Sequence, residues 1–317
     1  RLLTTDSQSL SGPERVALLG DVRALAGAGT MPVADALGLL PGLAGEKDPA
    51  VFLASLELMD LMRPALLSPP RLADRERLLR ELHGARALTL GFVPRAGEDE
   101  DTRLLRPLVL DLAGRQGGEP RLVEEARRLT DRWLGGERGA LPAEMVETTL
   151  GIAASRGDAG LHARMLEVLR AEPERRRREQ IIAALGAFPH EELIQRNLAL
   201  LLDPALDVRE VSAVLFRPPA NLIARDAASA FVKAHYDALA ARLPQEWVAL
   251  LSSVASTYCD PVHRQAAAAF FTERMAQAPG GPRTLASVLE AVDLCIAFKA
   301  AQGPGVESFL SSFRPKR

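Results

Sequence analysis

Prolines 173, 189 and 204 fall 16 and 15 residues apart, in the turn signals Glu172-Pro173, Phe188-Pro189 and Asp203-Pro204. A further turn signal, Arg156-Gly157-Asp158, precedes them. Proline lacks a backbone N–H and clashes with the preceding helical turn, so it punctuates helices rather than running through them. The spacing therefore leaves room for one helix of about twelve residues between turns. Two such helices make a unit of about 31 residues, and amphipathic helices this short bury an apolar face only by stacking on their neighbours. The pattern predicts an all-α fold: an armadillo/HEAT-like superhelical array of antiparallel helix pairs. No strict repeat consensus accompanies the rhythm, so an irregular helical bundle stays open as the alternative.

Helical periodicity extends beyond this middle stretch. Leu18, Val22 and Leu25 mark one face of 13–29, and Leu122, Ala126, Leu129 and Trp133 mark one face of 121–134. Leu285, Val288, Leu289, Val292 and Cys295 do so over 284–298. Asp48-Pro49, Asp203-Pro204 and Asp260-Pro261 each place a capping carboxylate before a proline suited to the first helical turn. A strong helix is predicted over 102–114, after an acidic connection at 91–101, with polar hinges at 135–142 and 278–282. Sustained strand-like alternation is absent, and aromatics are 4% of a chain rich in Leu and Ala, which favours helix. None of the connections reads as a domain linker, so residues 1–317 are expected to form one domain.

Net charge is −2, which gives no global attraction to nucleic acid or anionic lipid, and no apolar run approaches the roughly 20 residues of a membrane span. Cys259 and Cys295, 36 residues apart without C-x-x-C spacing, read as reduced, buried thiols, and a cytoplasmic location is expected. The chain opens on Arg1 without an initiator Met, which points to an excerpt of something longer.

The stretch His190-Glu191-Glu192-Leu193-Ile194 departs from the H-E-x-x-H zinc motif at its last position, where Ile194 cannot supply an imidazole. A glutamate ligand 19 residues further on would fall on Ala213, which is also apolar. The stretch reads instead as a helix start after Pro189, with carboxylates suited to the first turn. His83, His162, His235 and His263 have no ligand at metal-motif spacing and are expected at the surface or core edge. No nucleophile elbow, P-loop or dinucleotide fingerprint occurs. Arg175–Arg178 invite a nucleic-acid reading, but four consecutive arginines radiate around a helix and acids flank them, so a solvated face is preferred.

Several stretches resemble a known family when taken in order. They are LGF (90–92) with Gly97-Glu98, LLRPLVLDLAGRQG (104–117), EEARRL (124–129), SRGD (155–158) and AALGAFPHEELIQRNLALLLD (183–203). ARDAASAFVKAHYDAL (224–239), Phe270-Phe271 and RTLASVLEAVDLCIAF (283–298) follow. From about Ser9 to Leu310 the chain resembles the C-terminal helical domain of gluzincin zinc aminopeptidases, the aminopeptidase N family, in the manner of its puromycin-sensitive branch. The resemblance implies that zinc and the amino-group-recognising G-x-M-E-N segment belong to a separate thermolysin-like catalytic domain. Neither that segment nor H-E-x-x-H occurs in this sequence. It further implies a bowl-like helical cover over the active site that walls the chamber for peptide substrates and moves on a hinge.

The expected role is thus non-catalytic, with no cofactor in this chain and the catalytic domain of the same polypeptide as partner. Self-association is expected where the domain is excised. Arg106, in the LLR segment, and Arg225 and Lys233, in ARDAASAFVK, are the candidate chamber residues, able to attract a peptide carboxylate. Helix-surface or intradomain salt bridges are their alternative roles. Gly186 and Ala187 supply no side-chain cation, so a carboxylate pocket in the loop 185–190 does not carry over. The rival functions are a free-standing helical-repeat scaffold for a protein partner and an RNA-binding solenoid using Arg175–Arg178.

Overall fold

The computed structural model describes residues 10–216 and 221–313, all of them helical or in turns and connections, with no strand among the described residues. Ser9, where the resembling stretch begins, lies outside them. The all-α expectation holds. The chain divides into two compact units, one of residues 1–125, 141–145 and 297–317, the other of 126–140 and 146–296.

In the first unit, α1 (Gly12–Gly27) starts where Glu14 accepts the Ser11 backbone N–H at 2.7 Å, satisfying a donor that the helix itself leaves open. Two short turns, α2 (Val33–Leu37) and α3 (Leu40–Leu43), lead to α4 (Pro49–Glu57), capped by Asp48 as its sequence indicates. The long α5 (Pro69–Leu90) and α6 (Glu100–Leu110) follow. The helix predicted over 102–114 is α only to Leu110; Asp111–Gln116 then widen into a π-helical turn. Pro107 lies inside α6 and cannot donate to Arg103, and the wider turn follows within one helical repeat. Its end approaches α5 closely: a Cβ on Gly117 would stand 2.8 Å from the Arg80 backbone nitrogen. Arg80 also donates to the Gly117 carbonyl at 2.9 Å.

The second unit takes the latter part of α7 (Pro120–Leu134), then α8 (Val146–Ala154), α9 (Ala159–Ala171), α10 (Arg175–Leu185) and α11 (Glu191–Ala199). The turns between α8 and α11 fall where the sequence rhythm places them. Polar contacts repeat with a similar period. Arg127 meets Asp158, Arg138 meets Glu172, Arg178 meets Glu210 and His162 meets Asn197, at sequence separations of 31, 34, 32 and 35. Each joins one helix pair to the next, as a stacked repeat requires.

One predicted cap differs. Asp203 begins no helix; its carboxylate accepts the Ala205 N–H at 2.9 Å and closes a turn, and Asp207 caps the later α12 (Val208–Val211). α13 (Ala213–Phe216) and α14 (Leu222–Arg242) follow, the latter kinked at His235, where φ and ψ are −122° and 21°. α15 (Pro261–Ala276), capped by Asp260, precedes α16 (Gly281–Ser312). The 297–312 part of α16 belongs to the first unit, where Gln302 accepts the Val33 N–H at 3.2 Å and donates to the Met31 carbonyl at 3.1 Å.

The cysteine reading needs correction. Cys259, just before α15, and Cys295, on α16, are joined in a disulfide with Cα atoms 5.1 Å apart. Two buried cysteines distant in sequence carry no pairing signal; the packing of α15 against α16 creates the pair. His83 and His162 are also corrected, since both lie inside the core.

Two outcomes check this packing. Gly117→Ala should lower stability by on the order of 1–3 kcal/mol through overpacking. Gly20→Ala, where a Cβ meets open space in α1, should add about 0.5–1 kcal/mol. Thermal unfolding of the two variants separates them, and equal shifts would contradict the close approach at Gly117. Peptide mapping without reductant should recover a Cys259–Cys295 cross-linked fragment, and the Cys259→Ser/Cys295→Ser protein should lose on the order of 2–4 kcal/mol.

Candidate functional site

The three cations singled out from the sequence have distinct surroundings. Arg106, on α6 of the first unit, is 1% exposed. It forms a bidentate pair with Glu98 and donates to the carbonyls of Leu90 and Gly91, the latter at 2.8 Å. Those carbonyls lie at the C-terminal end of α5, where a helix leaves acceptors without partners. Arg106 thus caps α5 and pins the acidic connection 91–98. Its guanidinium is spent inside the fold.

Arg225 and Lys233 lie on α14 of the second unit, eight residues apart. That spacing sets them on similar faces, roughly 12 Å apart along the axis. Arg225 is 14% exposed at its side chain and pairs with Asp226 at 2.9 Å. Its guanidinium also covers the ring of Tyr258 at 4.3 Å. Lys233 is half-buried and has no ion pair or hydrogen bond among the described residues. Of the three, Lys233 is the cation free to meet a ligand.

Arg225 belongs to a cluster that sequence reading missed. Tyr258 is buried and stacks on His263 with ring centroids 4.0 Å apart and planes 7° apart. Burial pushes the Tyr258 hydroxyl up to about 12, with the bond to Ser229 opposing and Asp226 adding to the rise. His263 Nδ1 meets the Asp260 carboxylate at 2.8 Å, and Asp260 also accepts the His263 backbone N–H at 2.9 Å. The signal was present in Asp260-Pro261-Val262-His263, a capping aspartate with a hydrogen-bonding residue at the third helical position. An Asp–His pair can orient an imidazole as a base, but among the described residues no nucleophile is hydrogen-bonded to His263. The cluster braces the start of α15 against α14.

Three of the four arginines in the run on α10 are likewise engaged. Arg175 pairs with Glu179 at 2.9 Å, Arg177 with Glu174 at 2.9 Å and Arg178 with Glu210 at 2.7 Å. Glu172 is buried and receives Arg138 at 2.9 Å and Arg177 at 3.6 Å, while Arg138 also covers Trp133 at 4.0 Å. Around the HEEL stretch, His190 is exposed at the N-cap of α11 and Ile194 is buried. Among the described residues no three His, Cys, Asp or Glu side chains converge on a metal position. A shallow depression of about 480 Å³ in the first unit is lined by Glu98, Glu100, Arg103, Leu104, Pro107 and Glu144. Its carboxylates suit a cationic group, though Glu98 is already held by Arg106.

Helical caps and braces are what the described residues build here. The family model of the ERAP1-like C-terminal domain matches residues 1–294. The chain belongs to that family. No curated protein matches it. The match takes in Arg106, Arg225, Lys233 and the brace around Tyr258, and extends across segments of both compact units. A C-terminal domain of this kind is part of an M1 aminopeptidase, and the sequence accordingly carries the helical part without the H-E-x-x-H motif.

Arg106→Ala strands the half-buried Glu98 carboxylate and the end of α5, and should cost on the order of 3 kcal/mol. Arg176→Ala, at an exposed position of α10, should change stability by less than about 0.5 kcal/mol. Denaturant unfolding reads both, and a mild Arg106→Ala variant would show that the clamp holds nothing in place.

Proposed function

We propose that this chain, taken as one domain over 1–317, is the non-catalytic cover of a zinc aminopeptidase. It walls the chamber in which the peptide substrate is held. The observation that carries the reading is membership of the ERAP1-like C-terminal domain family over residues 1–294, in a sequence that lacks the zinc-binding and amino-group-binding motifs. A superhelical array of helix pairs suits the task because it offers a broad concave surface that excludes water and folded proteins. Zinc is assigned to the catalytic domain, as the resemblance to zinc aminopeptidases implies. The catalytic domain of the same polypeptide is the partner, and an excised helical domain self-associates through the surface that partner would cover.

Lys233 is the residue proposed to meet the peptide, by attraction to its carboxylates. Arg225 contributes positive charge beside it while bracing Tyr258. Arg106 supports the fold of the first unit. For the compartment, the Cys259–Cys295 disulfide favours an oxidising one over the cytoplasm expected from the sequence.

In the full-length enzyme, Lys233→Ala should raise KM for peptides of about ten residues by roughly two- to five-fold, the worth of one partly exposed charge. Hydrolysis of single aminoacyl-arylamides should be unchanged. An equal effect on both substrates would remove Lys233 from the chamber wall. The coding sequence upstream of Arg1 should contain H-E-x-x-H; its absence would overturn the aminopeptidase reading as a whole.

A further inference from the structure

Each unit holds one histidine where a charged ring is hardest to accommodate. In the first unit His83, on α5, is 2% exposed and neither ring nitrogen has a hydrogen-bond partner among the described residues. Phe52 of α4 meets it edge to face, with centroids 6.0 Å apart and planes at 87°. In the second unit His162, on α9, is fully buried, and Phe188 meets it edge to face at 5.1 Å and 77°. Asn197 of α11 donates to the Leu185 carbonyl at 2.6 Å, which leaves its Oδ1 to accept from His162 Nε2 at 2.8 Å. The proton therefore sits on Nε2, and Nδ1 is buried without a partner.

The charges around these rings oppose protonation. Arg86, which also covers Phe52 at 5.2 Å, acts on His83, and Arg196 acts on His162. Carboxylates on the packed elements have other partners. Asp111 holds Arg115, Glu98 holds Arg106, Glu46 holds Arg15, and Asp158 caps α9 and faces Arg127. Glu119 faces Gly84 beside His83, with Oε2 3.6 Å from where a Cβ would stand, and does not figure among the groups acting on the ring. Burial first, and Arg86 second, lower the His83 imidazole to about 4. Burial lowers His162 too, against the bond to Asn197 and with Arg196 adding to the fall.

We propose that His83 and His162 form a pair of acid-sensitive latches, one in each unit, that hold the helices packed at neutral pH and release them under mild acid. Above pH 6.5 both rings are neutral whether the helices are packed or open. Between 6.5 and about 4 the open form takes up a proton that packed His83 refuses, so each pH unit favours opening by up to about tenfold. Below about 4 the His83 contribution is complete. His162 acts with the same sign. Opening separates α4 from α5 around Phe52 and α9 from α11 around Asn197, which would loosen a chamber wall built on these helices; only that last consequence rests on the proposed function.

The experiment follows thermal unfolding of the protein from pH 7.5 to 4, for wild type, His83→Leu, His162→Gln and the double variant, with folding confirmed by circular dichroism at pH 7.5. Wild-type Tm should fall steeply below pH 6.5, each single variant less steeply, and the double variant least. Folded variants that lose Tm as fast as wild type would overturn the proposal. Where a variant does not fold, ring-labelled histidine NMR of the wild type decides. His83 neutral in the folded protein at pH 5.5 supports the latch, and a protonated His83 at that pH overturns it.

Discussion

Helices of nine to thirteen residues, such as α9, α10 and α11, are marginal in isolation because nucleating a helix costs more than a few turns return. What holds them is the contact each makes with the helix one repeat further along the chain. The buried carboxylate of Glu172 is the clearest example. It receives Arg138 from the preceding connection and Arg177 from the following helix, and Arg138 in turn covers Trp133. A carboxylate enclosed this way is tolerable only with its partners present. The same logic explains Arg175, Arg177 and Arg178 on α10, whose charges are committed to carboxylates of their own and neighbouring turns. An apparent basic patch in the sequence is thereby a seam between repeats.

Periodic features survived the passage from sequence to structure best. The stripes Leu122–Trp133 and Leu285–Cys295 lie on α7 and α16, because a repeat of 3.6 residues is a local property. The caps at Asp48 and Asp260 were legible for the same reason, since donor and acceptor are three residues apart or fewer. Asp203 misled because an aspartate before proline serves a turn as well as a helix, and the nearby Asp207 took the cap. The π-helical turn after Pro107 was illegible, as it depends on how α5 receives Gly117. Pairings across long intervals, such as Cys259 with Cys295 and His162 with Asn197, have no local signature.

The three candidate cations look alike in the sequence and differ in what surrounds them. Arg106, Arg225 and Lys233 are all cations on helices in the sequence, and chemistry alone ranks them together. Burial separates them: Arg106 has its charge consumed by Glu98, Arg225 divides itself between Asp226 and Tyr258, and Lys233 has no ion pair among the described residues. The difference arises from which helix face each residue occupies and what connection lies above it. Membership of the aminopeptidase C-terminal family supplies the context that a free lysine cannot.

Gln302 has a consequence for how such a chain is made. The first unit is discontinuous: its opening helices wait for residues beyond 296, and Gln302 completes the start of α2 at Val33. On a ribosome the segment 126–296 emerges whole before that glutamine does. The first unit is therefore finished after the second, and its early helices wait through the synthesis of 126–296 for their final neighbour.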